Sequence, residues 1–218
     1  MIDIEVRGEK ITLYAERGAF WHRENALLIA DPHWGKAATF RAGGIPVPGG
    51  TTNEAISRLE SLITKTNPNK VIFLGDLLHA KPGRSKEMFA ALETWRKSHR
   101  QLDVILVRGN HDKRAGDPPS ELCFDCVDAP LNLPPFALAH HPTIDPDAYV
   151  IAGHVHPAIR IHGPGRQSER LPCFFFGKDH AILPAFGDFT GLADVDPAEN
   201  DRVYAIAEDK VVLVTISY

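Results

Sequence analysis

Apolar residues recur with two different periods along the first half of the chain, and each change of period marks a change of element. From Ile2 to Val6 and from Lys10 to Tyr14 apolar and polar residues alternate around Arg7-Gly8-Glu9, which predicts an opening β-hairpin with one wet face. Short unbroken apolar runs follow at 26–30, 71–74, 104–107, 136–139 and 149–152, the pattern of strands buried on both faces. Between the first two runs, Ala55, Ile56, Leu59, Leu62 and Ile63 fall at helical spacing within residues 51–66, with Thr51 or Thr52 as the N-cap. Between the next two, Met88, Phe89, Ala91, Leu92 and Trp95 do the same within residues 85–98. Strand, helix, strand, helix, strand is a βαβ order, so a parallel or mixed sheet with right-handed crossovers is expected.

After Pro130 the helical spacing disappears. Runs at 158–162, 173–176, 181–183, 203–207 and 211–216 are short and separated by Gly and Pro, and the last two read as a hairpin across Glu208-Asp209-Lys210. This half predicts a second sheet. Segments 41–50 and 163–166 read as surface loops. No repeat, low-complexity tract or long linker divides the chain, so residues 1–218 are expected to form one domain.

Composition narrows the class. With 44% hydrophobic and 24% charged residues the chain is ordinary globular protein, not disordered, fibrous or coiled coil. The N-terminal stretch alternates instead of presenting an unbroken apolar segment, and no later segment could span a bilayer, so no membrane partner and a cytoplasmic address are expected. Cys123, Cys126 and Cys173 are odd in number and fit no disulfide framework; Cys123-Phe-Asp-Cys126 lacks the second pair a zinc site needs. Net charge is −4 with no long Lys/Arg run, so an anionic ligand must be met locally, as bound divalent cations would do.

The chemistry sits where the five apolar runs end. Each is followed, at once or after one small residue or linking segment, by residues able to bind metal: Asp31-Pro-His33, Gly75-Asp76, Gly109-Asn110-His111-Asp112, His140-His141 and Gly153-His154-Val155-His156. In open α/β sheets ligands bind outside the carboxyl ends of the strands, so these ends are expected to converge on one crevice. Asp31 and His33 are two apart, as are His154 and His156, so each pair can address one centre from an extended chain. Asp31, His33, Asp76, Asn110, His140, His154 and His156 supply two carboxylates, one amide and four imidazoles. Seven donors suit two ions sharing a bridging carboxylate, here Asp76, rather than one tetrahedral zinc. The O/N set without thiolate suits manganese first, with Fe, Zn, Co or Ni as alternatives. A two-metal clamp favours phosphoryl chemistry, because it holds attacking and leaving oxygens together and acidifies water.

His111, beside a proposed donor and before Asp112, is expected to stabilise the transition state or deliver a proton, with Asp112 orienting it. Lys36 and Arg41 lie near the first motif and are candidates to grip phosphate. His79 is read as structural or solvent-facing, and Trp34 as core rather than a base-stacking platform.

The order DPH, GD, GNHD, HH, GHVH over residues 31–156 resembles the calcineurin-like metallophosphoesterase superfamily. That resemblance implies an α/β, four-layer metallophosphoesterase sandwich of two mixed β-sheets flanked by helices. It also implies Asp31, His33, Asp76 and His156 around one metal and Asp76, Asn110, His140 and His154 around the other. Many members carry Gly where this chain has His141, so either His140 or His141 could be the ligand; His140 is preferred because it ends the apolar run. Segments 30–36, 40–41, 44–48, 74–79 and 183–187 are further similar to the bacterial ligase-associated DNA damage response endonucleases. This implies a phosphodiesterase or nuclease acting on DNA, associated with an ATP-dependent DNA ligase and a helicase. Hydrolysis of small phosphoesters such as nucleotides is the alternative, and a protein-binding scaffold the second.

Overall fold

The computed structural model describes residues 1–47, 50–163, 168–188 and 190–215. Its first sheet follows chain order. Strands β1 (Ile2–Val6), β2 (Glu9–Leu13), β3 (Gly18–Trp21) and β4 (Ala26–Ile29) pair antiparallel, and β5 (Lys70–Leu74), β6 (Asp103–Val107) and β7 (Asp125–Val127) continue parallel to β4. Arg7 at φ 51° and Gly8 at φ 79° make a two-residue hairpin turn whose twist matches its strands. That turn pairs Val6 with Glu9, so β2 starts one residue earlier than the alternation predicts. Helices α1 (Lys36–Ala42) and α2 (Thr51–Thr66) join β4 to β5, and α3 (Lys86–Ser98) joins β5 to β6. The short α4 (Asn110–Ala115) follows β6.

The second sheet contains β8 (Leu131–Leu133), β9 (Phe136–Leu138), β10 (Tyr149–Ala152), β11 (Pro157–His162), β12 (Ser168–Phe176), β13 (His180–Ile182), β14 (Ala193–Asp194), β15 (Arg202–Ala207) and β16 (Lys210–Leu213). Strands β9, β10 and β13 run parallel, and the expected C-terminal hairpin is β15–β16. Two mixed sheets flanked by helices are therefore what the chain builds.

Alternation within each strand divides the core. Leu28, Ile72, Leu74 and Val107 face the second sheet, where Phe136, Ile151, Phe174 and Tyr204 meet them. Leu27, Ile29, Phe73 and Leu106 face outward and are covered by Leu59 and Leu62 of α2 and by Met88, Leu92 and Trp95 of α3. The outer face of β9 and β10 carries only a small apolar cluster, Ala137, Ala139, Val150 and Ala152.

Three local expectations are corrected. Gly50, at φ 92°, caps α2 in place of Thr51 or Thr52, which already lie inside the helix; Ser85 does cap α3, its Oγ accepting the Met88 N–H at 3.2 Å. Arg41 belongs to the last turn of α1 and not to a loop. The last strand stops at Leu213. Parts of the predicted loops at 41–50 and 163–166, and Ile216, lie outside the described residues. No helix among the described residues is long and apolar enough to cross a membrane.

Candidate metal centre and active site

Strand register brings the motifs together. Ile29 pairs with Phe73, and Leu74 with Val107, so Asp31, Asp76 and Asn110 leave the first sheet at one level. Leu138 pairs with Ile151, so His140 and the 154–156 segment leave the second sheet side by side. Backbone bonds lock the ends: His33 N–H to Asp76 O (2.9 Å), Gly153 N–H to His140 O (3.1 Å), and Phe186 and Gly187 N–H to Ala30 and Asp31 O (2.7 and 3.1 Å). The first sheet thus contributes Asp31, His33, Asp76 and Asn110, and the second His140, His154 and His156.

The local backbone is bent to aim these side chains. Asp31, His33, Asp76, His154 and His156 all have positive φ, between 46° and 69°. Asp and His tolerate this region better than most residues, yet each still costs on the order of 1–2 kcal/mol. The motif glycines also make room, and Gly75 shares the positive φ, at 80°. A Cβ on Gly75 would strike the His140 ring, one on Gly109 the Asp76 carboxylate, and one on Gly153 would lie 2.5 Å from Asp31 Oδ2.

The donors point at one another. His140 Nε2 is 3.0 Å from Asn110 Oδ1, 3.0 Å from His154 Nδ1 and 3.4 Å from Asp76 Oδ2. His33 Nε2 is 3.9 Å from Asp76 Oδ2, and His156 Nε2 is 3.8 Å from Asp31 Oδ2. A carbonyl can only accept, so the contacts of His140 Nδ1 with Leu74 O (3.1 Å) and of His156 Nδ1 with Gly191 O (3.1 Å) place those protons on Nδ1. Each Nε2 lone pair is then turned inward, as metal-binding imidazoles are held elsewhere in proteins. Asp31 Oδ1 and His156 Nε2 are buried with no hydrogen-bond partner. Two such orphaned atoms among inward-facing lone pairs suit cations, and both the Asp31–His33–His156 and the Asp31–Asp76–His140 groups could hold one.

Charge leads to the same conclusion. Burial, and then the adjacent Asp76 carboxylate, push Asp31 well above the usual carboxylate range. Burial raises Asp76 to about 6. Burial also lowers His33 to about 2, His140 to about 3 and His156 to about 4, so their rings are neutral donors at neutral pH. A dication satisfies both tendencies at once: it compensates the buried carboxylates and uses the lone pairs.

Other predicted residues are placed as follows. His111 lies beside the cluster, its N–H bonded to Asp76 Oδ1 at 2.8 Å and its Nε2 3.9 Å from Asp76 Oδ2. Asp112 does not orient His111 as expected. Successive helical residues diverge, and its buried carboxylate instead accepts Gly109 N–H (2.9 Å) and Leu78 N–H (3.2 Å), fixing the start of α4. The partner of His111 Nδ1 is the His79 carbonyl, at 2.7 Å. His79, for which the sequence favours a structural or solvent-facing role over one facing the site, accordingly lies at the site. Its ring stacks on His111 with centroids 4.9 Å apart and meets His33 edge-on at 5.3 Å. His140 is buried, whereas His141 is exposed with its ring 4.0 Å from that of His154. Lys36 is half-buried and electrostatically coupled to Asp31 and Asp76, although burial is the larger influence and lowers its pKa. Arg41 is exposed and faces a separate cleft shared with Thr51, Thr52 and Glu87. Trp34 is core, 2% exposed and edge-on to Phe73. No cysteine joins a metal-competent group among the described residues.

Comparison with known proteins gives the same picture. Residues 25–133 match the calcineurin-like phosphoesterase family. The crystal structure of Pseudomonas putida nuclease MPE is similar over 98% of this chain and 99% of its own, at 41% identity and a TM-score of 0.86. YfcE, a phosphoesterase from E. coli, is similar over 88% and 99% of the two chains, at 16% identity and a TM-score of 0.45. No curated protein sequence gives a significant match.

Proposed function

This chain belongs to the calcineurin-like phosphoesterase family, and on that footing we propose that it is a metal-dependent phosphodiesterase that cuts DNA, with residues 1–218 acting as one domain. The observation that carries the proposal is the convergence of seven O/N donors from both sheets around two buried carboxylates. Two divalent cations, manganese first, are assigned to them. Asp31, His33, Asp76 and His156 would hold one and Asp76, Asn110, His140 and His154 the other, with Asp76 common to both sets. His140 is chosen over His141 because its Nε2 faces Asp76 while its Nδ1 is anchored to Leu74. Bound there, the cations supply charge compensation for the phosphate and an acidified water.

The protein's own groups do the rest. His111 Nδ1–H is tied to the His79 carbonyl, so Nε2 is the atom free to pass a proton to the leaving oxygen. Asp76 Oδ2 lies 3.9 Å from that Nε2 and Asp76 Oδ1 accepts the His111 backbone N–H at 2.8 Å, which keeps the ring beside the donor cluster. The His79 ring packed on His111 limits its swing, and Lys36 adds positive charge for a phosphate at the rim. Nucleic acid as substrate is supported by the likeness to a nuclease along nearly the whole chain. A cytoplasmic repair role beside an ATP-dependent DNA ligase and a helicase is the context this reading carries.

Purified protein with Mn(II) is expected to cleave bis-p-nitrophenyl phosphate and DNA. Asp76→Asn should lose bound metal, whereas His111→Ala should keep it and lose turnover by about 10²–10⁴-fold. Cleavage of phosphomonoesters or free nucleotides alone would overturn the nuclease reading in favour of a small-phosphoester hydrolase, which the net charge of −4 also suits.

A further inference from the structure

A groove of about 270 Å³ is lined by Asn110 and His140 of the donor cluster and by none of His33, His79 and His111. Asn110 and His140 form its inner end, so it is continuous with the donor cluster. Beneath it lie Ala137, Ala139 and Val150 of β9 and β10, none more than 6% exposed. Alanines there leave a hollow where larger residues would fill the sheet face. Lys113 on α4 stands at the rim, exposed and with no ion pair among the described residues, whereas neighbouring Arg108 is tied to Asp117. Beside the mouth, Ile144 is 77% exposed.

A nucleotide has matching parts. Its base and sugar present flat, partly apolar surface, and its phosphate an anion. The volume lies just below the roughly 300 Å³ at which pockets for small organic ligands begin, so it suits one nucleoside rather than a dinucleotide or a peptide. We infer that this groove seats the nucleoside next to the scissile phosphate, with Lys113 on the adjoining backbone phosphate, and that it makes the enzyme select a nucleic-acid strand over a minimal diester. The inference rests on the phosphodiesterase reading of the metal centre and deepens it.

The test uses the full chain with Mn(II) and two substrates, a single-stranded oligonucleotide and bis-p-nitrophenyl phosphate. Two variants are compared with wild type: Ala137→Leu, which adds bulk to the buried layer beneath the groove, and Lys113→Ala, a surface change that leaves the core intact. Both should turn over the small diester like wild type. On the oligonucleotide, KM should rise roughly tenfold for Ala137→Leu, the size expected when a pocket's volume changes by a few methylenes. Lys113→Ala should raise KM and reduce the salt slope of log KM by about 1. Unchanged oligonucleotide KM and salt slope for Lys113→Ala, with wild type active on both substrates, overturn the groove alone, as does equal loss on both substrates. A wild type that cleaves only the small diester overturns the nuclease reading itself.

Discussion

Gly109→Ala isolates steric protection of the metal centre from backbone strain. Gly109 has φ −94°, a value any residue adopts, so alanine adds no conformational cost. By restricting the unfolded chain it should even stabilise, by about 0.4–1 kcal/mol. The new methyl, however, would meet Asp76 Oδ1, would lie 2.6 Å from the Asp76 backbone nitrogen and 3.0 Å from His140 Cγ. A backbone atom cannot step aside as a flexible side chain can, so the carboxylate and its strand end must shift. Overpacking of this kind costs about 1–3 kcal/mol. The net loss is then roughly 0.5–2 kcal/mol, or about 1–8 °C in Tm for a chain of this size. Displacing Asp76 should weaken Mn(II) binding by about 10–100-fold, as loss of a group that supports a ligand does. Gly43→Ala is the control: φ is −83° there, and the nearest atom to the added methyl is an ordinary 3.4 Å away. Thermal melts with and without Mn(II), together with Mn(II) titration calorimetry, decide the matter. A Gly109→Ala protein with wild-type Tm and wild-type metal affinity would refute the steric argument.

Metal binding should release protons in acid and few in base. In the metal-free fold His33, His140 and His156 are held low and neutral, while Asp76 is raised to about 6 and Asp31 further from its usual range. Carboxylates raised in this way contribute stability that is present below about pH 4 and lost as pH rises through about 6; the lowered histidines contribute stability present above about 6.5 and lost as pH falls. Calorimetry in buffers of different ionisation enthalpy should therefore find more protons released by Mn(II) at about pH 5 than at about pH 8, and the opposite order would contradict it. Thiol reactivity should rank by burial. Cys173 is buried and pushed up to about 12, and half-buried Cys126 up to about 11, so an aromatic disulfide reagent should titrate exposed Cys123 first and leave Cys173 unreacted in the native protein. Rapid reaction of two or more thiols would count against this ranking.

The seven residues proposed to hold metal stand out in the sequence because each lies at or just past the end of an apolar run, where a local signal and a global rule about strand ends coincide. His79 carries no such signal. Its position comes from a stretch in which Trp34 N–H bonds to Leu77 O and His79 N–H to Trp34 O, a tertiary pairing of two loops. Asp112 was legible as a polar residue in the right motif, but its direction depends on the helix that begins at Asn110, which six residues without an apolar stripe do not announce. The cap at Gly50 depends on a left-handed φ that Thr51 and Thr52 obscure by their own capping preference. Strands β7 and β8 have three residues each and no fully buried position, so no alternation marks them.

Division of the proposed donors between the two sheets would make a bound metal pair a fastener between them. Neither sheet supplies all of the proposed donors, so ions held by the full set would stay bound only while the sandwich is closed at that edge. Ligand linkage then gives the ions a mechanical consequence: at a thousandfold excess over Kd, binding stabilises the closed form by about 4 kcal/mol. Chelation should loosen the seam between β4–β5 and β9–β10 before it melts either sheet. Amide exchange at that seam would then follow metal occupancy in the cell's own ion pool.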